Sequence, residues 1–152
     1  MIQNIQEDKY GYSGKTQFAL FNKEIEVIME GGSIDYAERC TTYLNELNET
    51  VIQDLCLASI RYCHAIQKVF GTALQIFQSS KDVLTHIYPR VLIIPEVVDN
   101  TEPIIHLELN CSWEVEHGME WVIRKDKVLY VGAFNGENPL DDFTKKDDWN
   151  FA

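Results

Sequence analysis

"PIIHLELNCSWEVEHGMEWVIRKDKVLYVGAF", residues 103–134, decides the fold class. Ile105, Leu107, Leu109, Cys111 and Trp113 alternate with His106, Glu108 and Asn110. That is the period of two expected of a strand with one buried face. "MEWVIRKDKVLYVGAF", residues 119–134, reads as a hairpin turning at Lys125, Asp126 and Lys127. Glu116, His117 and Gly118 fall in the gap between Trp113 and Met119 and are expected to form a structural turn. Gly118 supplies the backbone freedom, and a histidine beside it can hydrogen-bond the turn it sits in.

Upstream, "RVLIIPEV" (90–97) is a short apolar strand closed by Pro95. "SSKDVLTHIYP" (79–89) holds a short helix capped by Ser80, with Pro89 disfavouring helical geometry at the residue before it. Further back the period is helical. Ala37, Cys40, Leu44 and Leu47 mark a first helix that opens on the N-cap Ser33, with Asp35 in its first turn. Asn48 is a break and a new cap. In the second helix, Val51, Leu55, Ala58, Tyr62, Ala65 and Val69 form one stripe, and Ile52, Cys56, Ser59, Cys63, Ile66 and Phe70 the next. Gly71 is placed to end it. Two adjacent stripes make a wide apolar face, suited to packing on a sheet. Before the helices, "TQFALFNKEIEVIMEGG" (16–32) reads as a hairpin around Asn22, Lys23 and Glu24. Phe18 and Leu20 line one arm; Ile25, Val27 and Met29 line the other.

The expected architecture is therefore α+β: an N-terminal β-hairpin, two or three helices, then a mainly antiparallel sheet of about four further strands, with the helices on one face. A chain of 152 residues is the size of one domain, 1–152, able to bury roughly 70% of its unfolded surface. Residues 135–152 carry Glu137, Asp141, Asp142, Asp147 and Asp148 against Lys145 and Lys146, and read as an acidic surface tail.

Thirteen Lys and Arg against 24 Asp and Glu leave a net charge of −11. Such a surface repels a phosphate backbone, which argues against a nucleic-acid ligand, and it speeds encounter with a basic protein. No stretch approaches the roughly 18 apolar residues of a membrane span, and the N-terminus lacks a signal-peptide core, so a cytoplasmic protein is expected, without a membrane partner. Cys40, Cys56, Cys63 and Cys111 show neither CxxC nor zinc-ligand spacing and read as buried, reduced thiols.

The candidate chemistry is concentrated in "CSWEVEHGMEW", residues 111–121. Glu114, Glu116 and His117 are the residue types of an acid–base pair, and His106, Glu108, Cys111, Glu114, Glu116 and His117 those of a metal site. Strand alternation places His106 and Glu108 on the face opposite Cys111, which separates the metal candidates. There is no GxSxG elbow and no glycine-rich phosphate loop. The expectation is a non-enzymatic chain with no cofactor and no bound metal; the alternative is a small enzyme or metal-binding protein using Glu116 and His117. Trp113, Trp121 and Trp149 read as core or interface aromatics.

"LNCSWEVEHGMEWVIRKDKVLYVGAF", residues 109–134, resembles the C-terminal hallmark of a family of small bacterial proteins of unassigned function: a strand ending in tryptophan and an acid, then Glu-His-Gly, then a hairpin ending in Val-Gly. That family resembles the immunity proteins that accompany polymorphic and contact-dependent toxins. The resemblance implies a protein toxin as partner, often a basic nuclease domain, neutralised by occlusion of its active site. The densest local acids, Glu114, Glu116, Glu120, Asp141 and Asp142, are the candidate partner-binding residues, with Trp149 as an aromatic anchor.

Overall fold

A computed structural model describes residues 1–99, 101–145 and 147–152; Lys146, one of the two lysines of the expected tail, lies outside the described residues. Seven strands form one sheet: β1 (Gln3–Asp8), β2 (Gly11–Phe18), β3 (Lys23–Met29), β4 (Ile87–Ile94), β5 (Ile104–Cys111), β6 (Glu114–Arg124) and β7 (Lys127–Gly132). They lie side by side in chain order. Neighbours are antiparallel except β3 and β4, which run parallel because α1 (Ile34–Asn45) and α2 (Glu49–Val69) carry the chain back between them. The fold is α+β, as expected.

The helix signals act as read. Ser33 Oγ accepts from Tyr36 N at 3.0 Å, and Asn48 Oδ1 accepts from Val51 N at 3.0 Å, each satisfying one N–H left over at a helix start. Gly71 follows α2 with φ +65°. Both stripes of α2 are buried as far as Tyr62 and Cys63, but Val69 and Phe70 are exposed. The third helix is a 3-10 segment, Ser80–His86, and its cap is Ser79 rather than Ser80: Ser79 N donates to Asp82 Oδ2 at 3.0 Å and Ser79 Oγ to Asp82 Oδ1 at 3.3 Å.

Register aligns the core. Val27 pairs with Leu92, Leu92 with Leu107, Leu107 with Trp121 and Trp121 with Val131, a row across five strands in which every side chain is fully buried. Fully burying each such residue stabilises the fold by about 1.5–3 kcal/mol. Trp121 Nε1 reaches back to Ser59 Oγ on α2 at 3.2 Å, which satisfies its N–H inside the core.

Local details differ from the sequence pattern. Strand β1, with all six side chains exposed, has no apolar period by which it could have been read. Leu20 lies in a 3-10 turn, Ala19–Phe21, and Asn22 closes that turn in the left-handed region at φ 47°. Strand β4 begins at Ile87, so Pro89 lies within it; the register shift between Pro89 and Val91 accommodates a residue with no N–H for the ladder. In the expected acidic segment, 135–152, Asp141, Asp142, Asp147 and Asp148 are exposed, while its end bonds back to the sheet. Phe151 N donates to Val131 O at 2.8 Å and Asn150 Oδ1 accepts from Val131 N at 3.3 Å, so the chain end closes the outer edge of β7.

Candidate functional site

The expected turn at Glu116, His117 and Gly118 is instead a bulge inside β6. The reversal occurs earlier, at Ser112 and Trp113, and β6 starts at Glu114. Leu109 pairs with Met119 while Cys111 pairs with Glu114, so β6 carries surplus residues that must arch out of the ladder. Gly118 has φ +62°, and a Cβ there would lie 2.6 Å from Leu109 O, so both its conformation and its clearance call for glycine. Glu114 braces the arch. Its Oε1 accepts from Glu116 N at 3.1 Å and His117 N at 3.3 Å, and its Oε2 meets His117 Nδ1 at 3.2 Å. Desolvation raises the Glu114 pKa, but the hydrogen bonds from the His117 side chain and from the His117 and Glu116 amides outweigh it and hold the carboxyl below its usual range. Glu116 and His117 themselves are exposed.

The buried acid–base pair lies on the other face of the sheet. His106 on β5 and Glu120 on β6 are diagonal neighbours there, 4% and 0% exposed, with Nε2 and Oε2 2.5 Å apart. The segment after β7 seals them. It crosses the face as a strap, with Asn135 N donating to Glu120 Oε1 at 3.0 Å and Glu137 N to Glu120 Oε2 at 2.9 Å. Tyr130 Oη donates to Ala133 O at 2.7 Å and accepts from Asn135 Nδ2 at 2.9 Å; burial and the nearby Glu120 charge push that phenol well above its usual range. Arg124 pins the strap further on, donating to Pro139 O at 2.7 Å. Gly132 stands opposite Glu120 on β7, where a Cβ would meet Trp149 O at 2.6 Å and Tyr130 Oη at 2.8 Å.

The six candidate partner-binding residues therefore divide. Glu120 is fully buried and binds the chain's own backbone, so it is withdrawn from any outer surface. Glu114 is mostly covered, with its carboxylate turned onto the bulge. Glu116, Asp141 and Asp142 are exposed. Trp149 is 51% exposed and packs edge-on against Phe151, with ring centroids 5.9 Å apart. The His106 and Glu120 pairing was missed in the sequence. Its signal was the doubled apolar residues Ile104-Ile105 and Val122-Ile123, which mark strands covered on both faces.

Among the described residues, no three His, Cys, Asp or Glu side chains converge on a metal position, and no helix is long and apolar enough to cross a membrane. The four cysteines are buried and unpaired with one another, and burial pushes the Cys56 and Cys63 thiols up to about 11 and Cys111 to about 12. The family model described as "Domain of unknown function (DUF6985)" matches residues 1–139. No curated protein matches the chain, and no solved structure does.

Proposed function

The chain belongs to the DUF6985 family, a domain of unknown function, and we propose that it is a non-enzymatic binding protein, an immunity protein that neutralises a cognate bacterial toxin of the contact-dependent or polymorphic kind. One observation carries this reading. The buried acid–base pair, His106 and Glu120, is engaged in holding the strap, with both Glu120 oxygens committed to chain amides, while the acidic excess of −11 is borne largely by exposed side chains. A sealed pair offers no place for a substrate, whereas a displayed negative field attracts a basic protein. The protein acts in the cytoplasm by covering the toxin's active site, its carboxylates taking the place of substrate phosphates.

Co-expression with the product of the gene immediately upstream tests this. A stable complex with loss of toxin activity is the expected result. Failure to bind that product, or a turnover activity of the isolated chain that disappears in His117→Ala without a change in melting, overturns the reading.

A further inference from the structure

A groove of about 500 Å³ lies between the outward side of α1 and two loop segments, Glu102-Pro103 and Lys125-Asp126. Hydrogen bonds hold its walls in place. Tyr36 Oη donates to Glu102 O at 2.9 Å and Arg39 Nη1 to Thr101 O at 3.1 Å, tying one loop to the helix. Tyr43 Oη donates to Asp126 Oδ1 and accepts from Asp126 N, both at 2.9 Å, tying the other. Burial pushes the Tyr43 hydroxyl up to about 12, so it stays protonated and keeps its donor role at neutral pH. A groove tied in this way is preorganised, and an occupant does not have to order it.

Its charges are unbalanced. Glu38, Glu46, Glu102 and Asp126 line it against Arg39 and Lys125. Arg39 is already engaged, its guanidinium 5.1 Å from the Tyr36 ring centroid and bonded to Thr101 O. Glu38 is engaged too, accepting from Ile2 N at 2.8 Å and lying 3.7 Å from the N-terminal ammonium. Asp126 holds Tyr43. Among the described residues the carboxylates of Glu46 and Glu102 have no hydrogen-bond or ion-pair partner, although the Glu102 charge acts on the Tyr43 hydroxyl. Lys125 lines the groove from the β6–β7 turn and leaves the negative charge in excess.

We propose that this groove is the surface at which the protein holds a basic segment of its partner, taking an arginine side chain whose guanidinium meets the Glu46 and Glu102 carboxylates while its stem lies on Tyr43 and Pro103. The proposal rests on the binding-protein reading above and gives that reading a location. A guanidinium suits the lining: its planar fork pairs with carboxylates, and its face stacks on a phenol ring.

The probe is the peptide Gly-Arg-Gly-Arg-Gly, titrated into the ¹⁵N-labelled full chain at low salt and compared with the same peptide carrying citrulline, which keeps the shape and removes the charge. The arginine peptide should shift the amides of residues 38–46, 101–102 and 125–127, and the citrulline peptide should not. In Glu46→Gln/Glu102→Gln the affinity should fall at least fivefold with melting unchanged, since neither carboxylate holds the fold together. Shifts centred elsewhere, such as on Asp141 and Asp142, an equal response to citrulline, or an undiminished affinity in the double variant overturn the proposal. The toxin assay separates the two readings. A double variant that still captures the toxin at full strength removes the groove and keeps the immunity function; a chain that binds the arginine peptide through Glu46 and Glu102 but captures no toxin keeps the groove and removes the immunity function.

Discussion

Glu120 and His106 face each other from adjacent strands at 2.5 Å, and the same carboxylate also receives the amides of Asn135 and Glu137. One side chain thus joins the sheet to the strap that covers it. Glu120→Ala leaves a buried imidazole and two amides without their acceptor, and should cost about 3–5 kcal/mol. Urea unfolding measures the loss, and amide exchange at residues 135 and 137 should accelerate well beyond that of β5. A loss below about 1 kcal/mol, or unchanged exchange in the strap, contradicts the role assigned to Glu120.

The bulge in β6 separates a backbone requirement from a side-chain one. Gly118→Val should destabilise by about 2–3 kcal/mol, because φ +62° is strained for a branched residue and its Cβ meets Leu109 O. His117→Ala removes an exposed side chain paired with Glu114 and should cost less than about 1 kcal/mol. Equal effects of the two substitutions would show that the arch depends on the imidazole.

Acid should weaken the arch. The Glu114 carboxyl titrates lower in the folded chain than in the unfolded one, so its contribution is complete above the unfolded value of about 4.3 and is lost as pH falls through the folded value. Glu114→Gln should therefore be less stable than the parent at pH 7, with the two converging in strong acid. A gap that stays constant from pH 7 to pH 2.5 argues against this carboxylate as the brace.

The thiols should be silent until the fold opens. Each of the four is buried, and a thiol titrating near 11 or 12 yields little thiolate at neutral pH. Ellman titration should find almost no reaction in the native protein and four thiols in unreduced denatured protein. Two thiols in the denatured sample would mean a disulfide.

Under the proposed immunity function, association with a basic toxin should slow as salt rises past the point where the screening length falls to about 8 Å, with dissociation changing less. Reversing Asp141 and Asp142 together should lower the association rate, most of all in dilute buffer, because both carboxylates stand on the exposed outer part of the strap. Association at the same rate in low and high salt excludes steering by these acids.

What the sequence made legible follows from which forces are local. The Ser33 and Asn48 caps, the two stripes of α2 as far as Tyr62 and Cys63, and the alternation of Ile105, Leu107 and Leu109 are set by neighbours within one turn or one strand, and the structure keeps them. Strand β1 carries no such local signal; its ladder bonds to β2 hold it in place. Glu120 looked like a surface acid because its neighbours in sequence suggested a turn, and the strap that buries it arrives 15 residues later. The α1 groove is assembled from distant segments: Tyr43 and Asp126, bonded to each other in its wall, are 83 positions apart along the chain. No window of sequence contains both walls.

The family match ends at residue 139, yet Asn150 and Phe151 supply the last bonds along β7. A protein shortened to that boundary would leave Leu129 O and both backbone groups of Val131 unpaired on a newly bared strand, beside a Tyr62 ring stripped of its Phe151 neighbour. Such an edge is a template for another copy of itself. Trimming the chain at residue 139 would thus bare a strand edge open to edge-to-edge pairing, an edge that Asn150 and Phe151 otherwise cover.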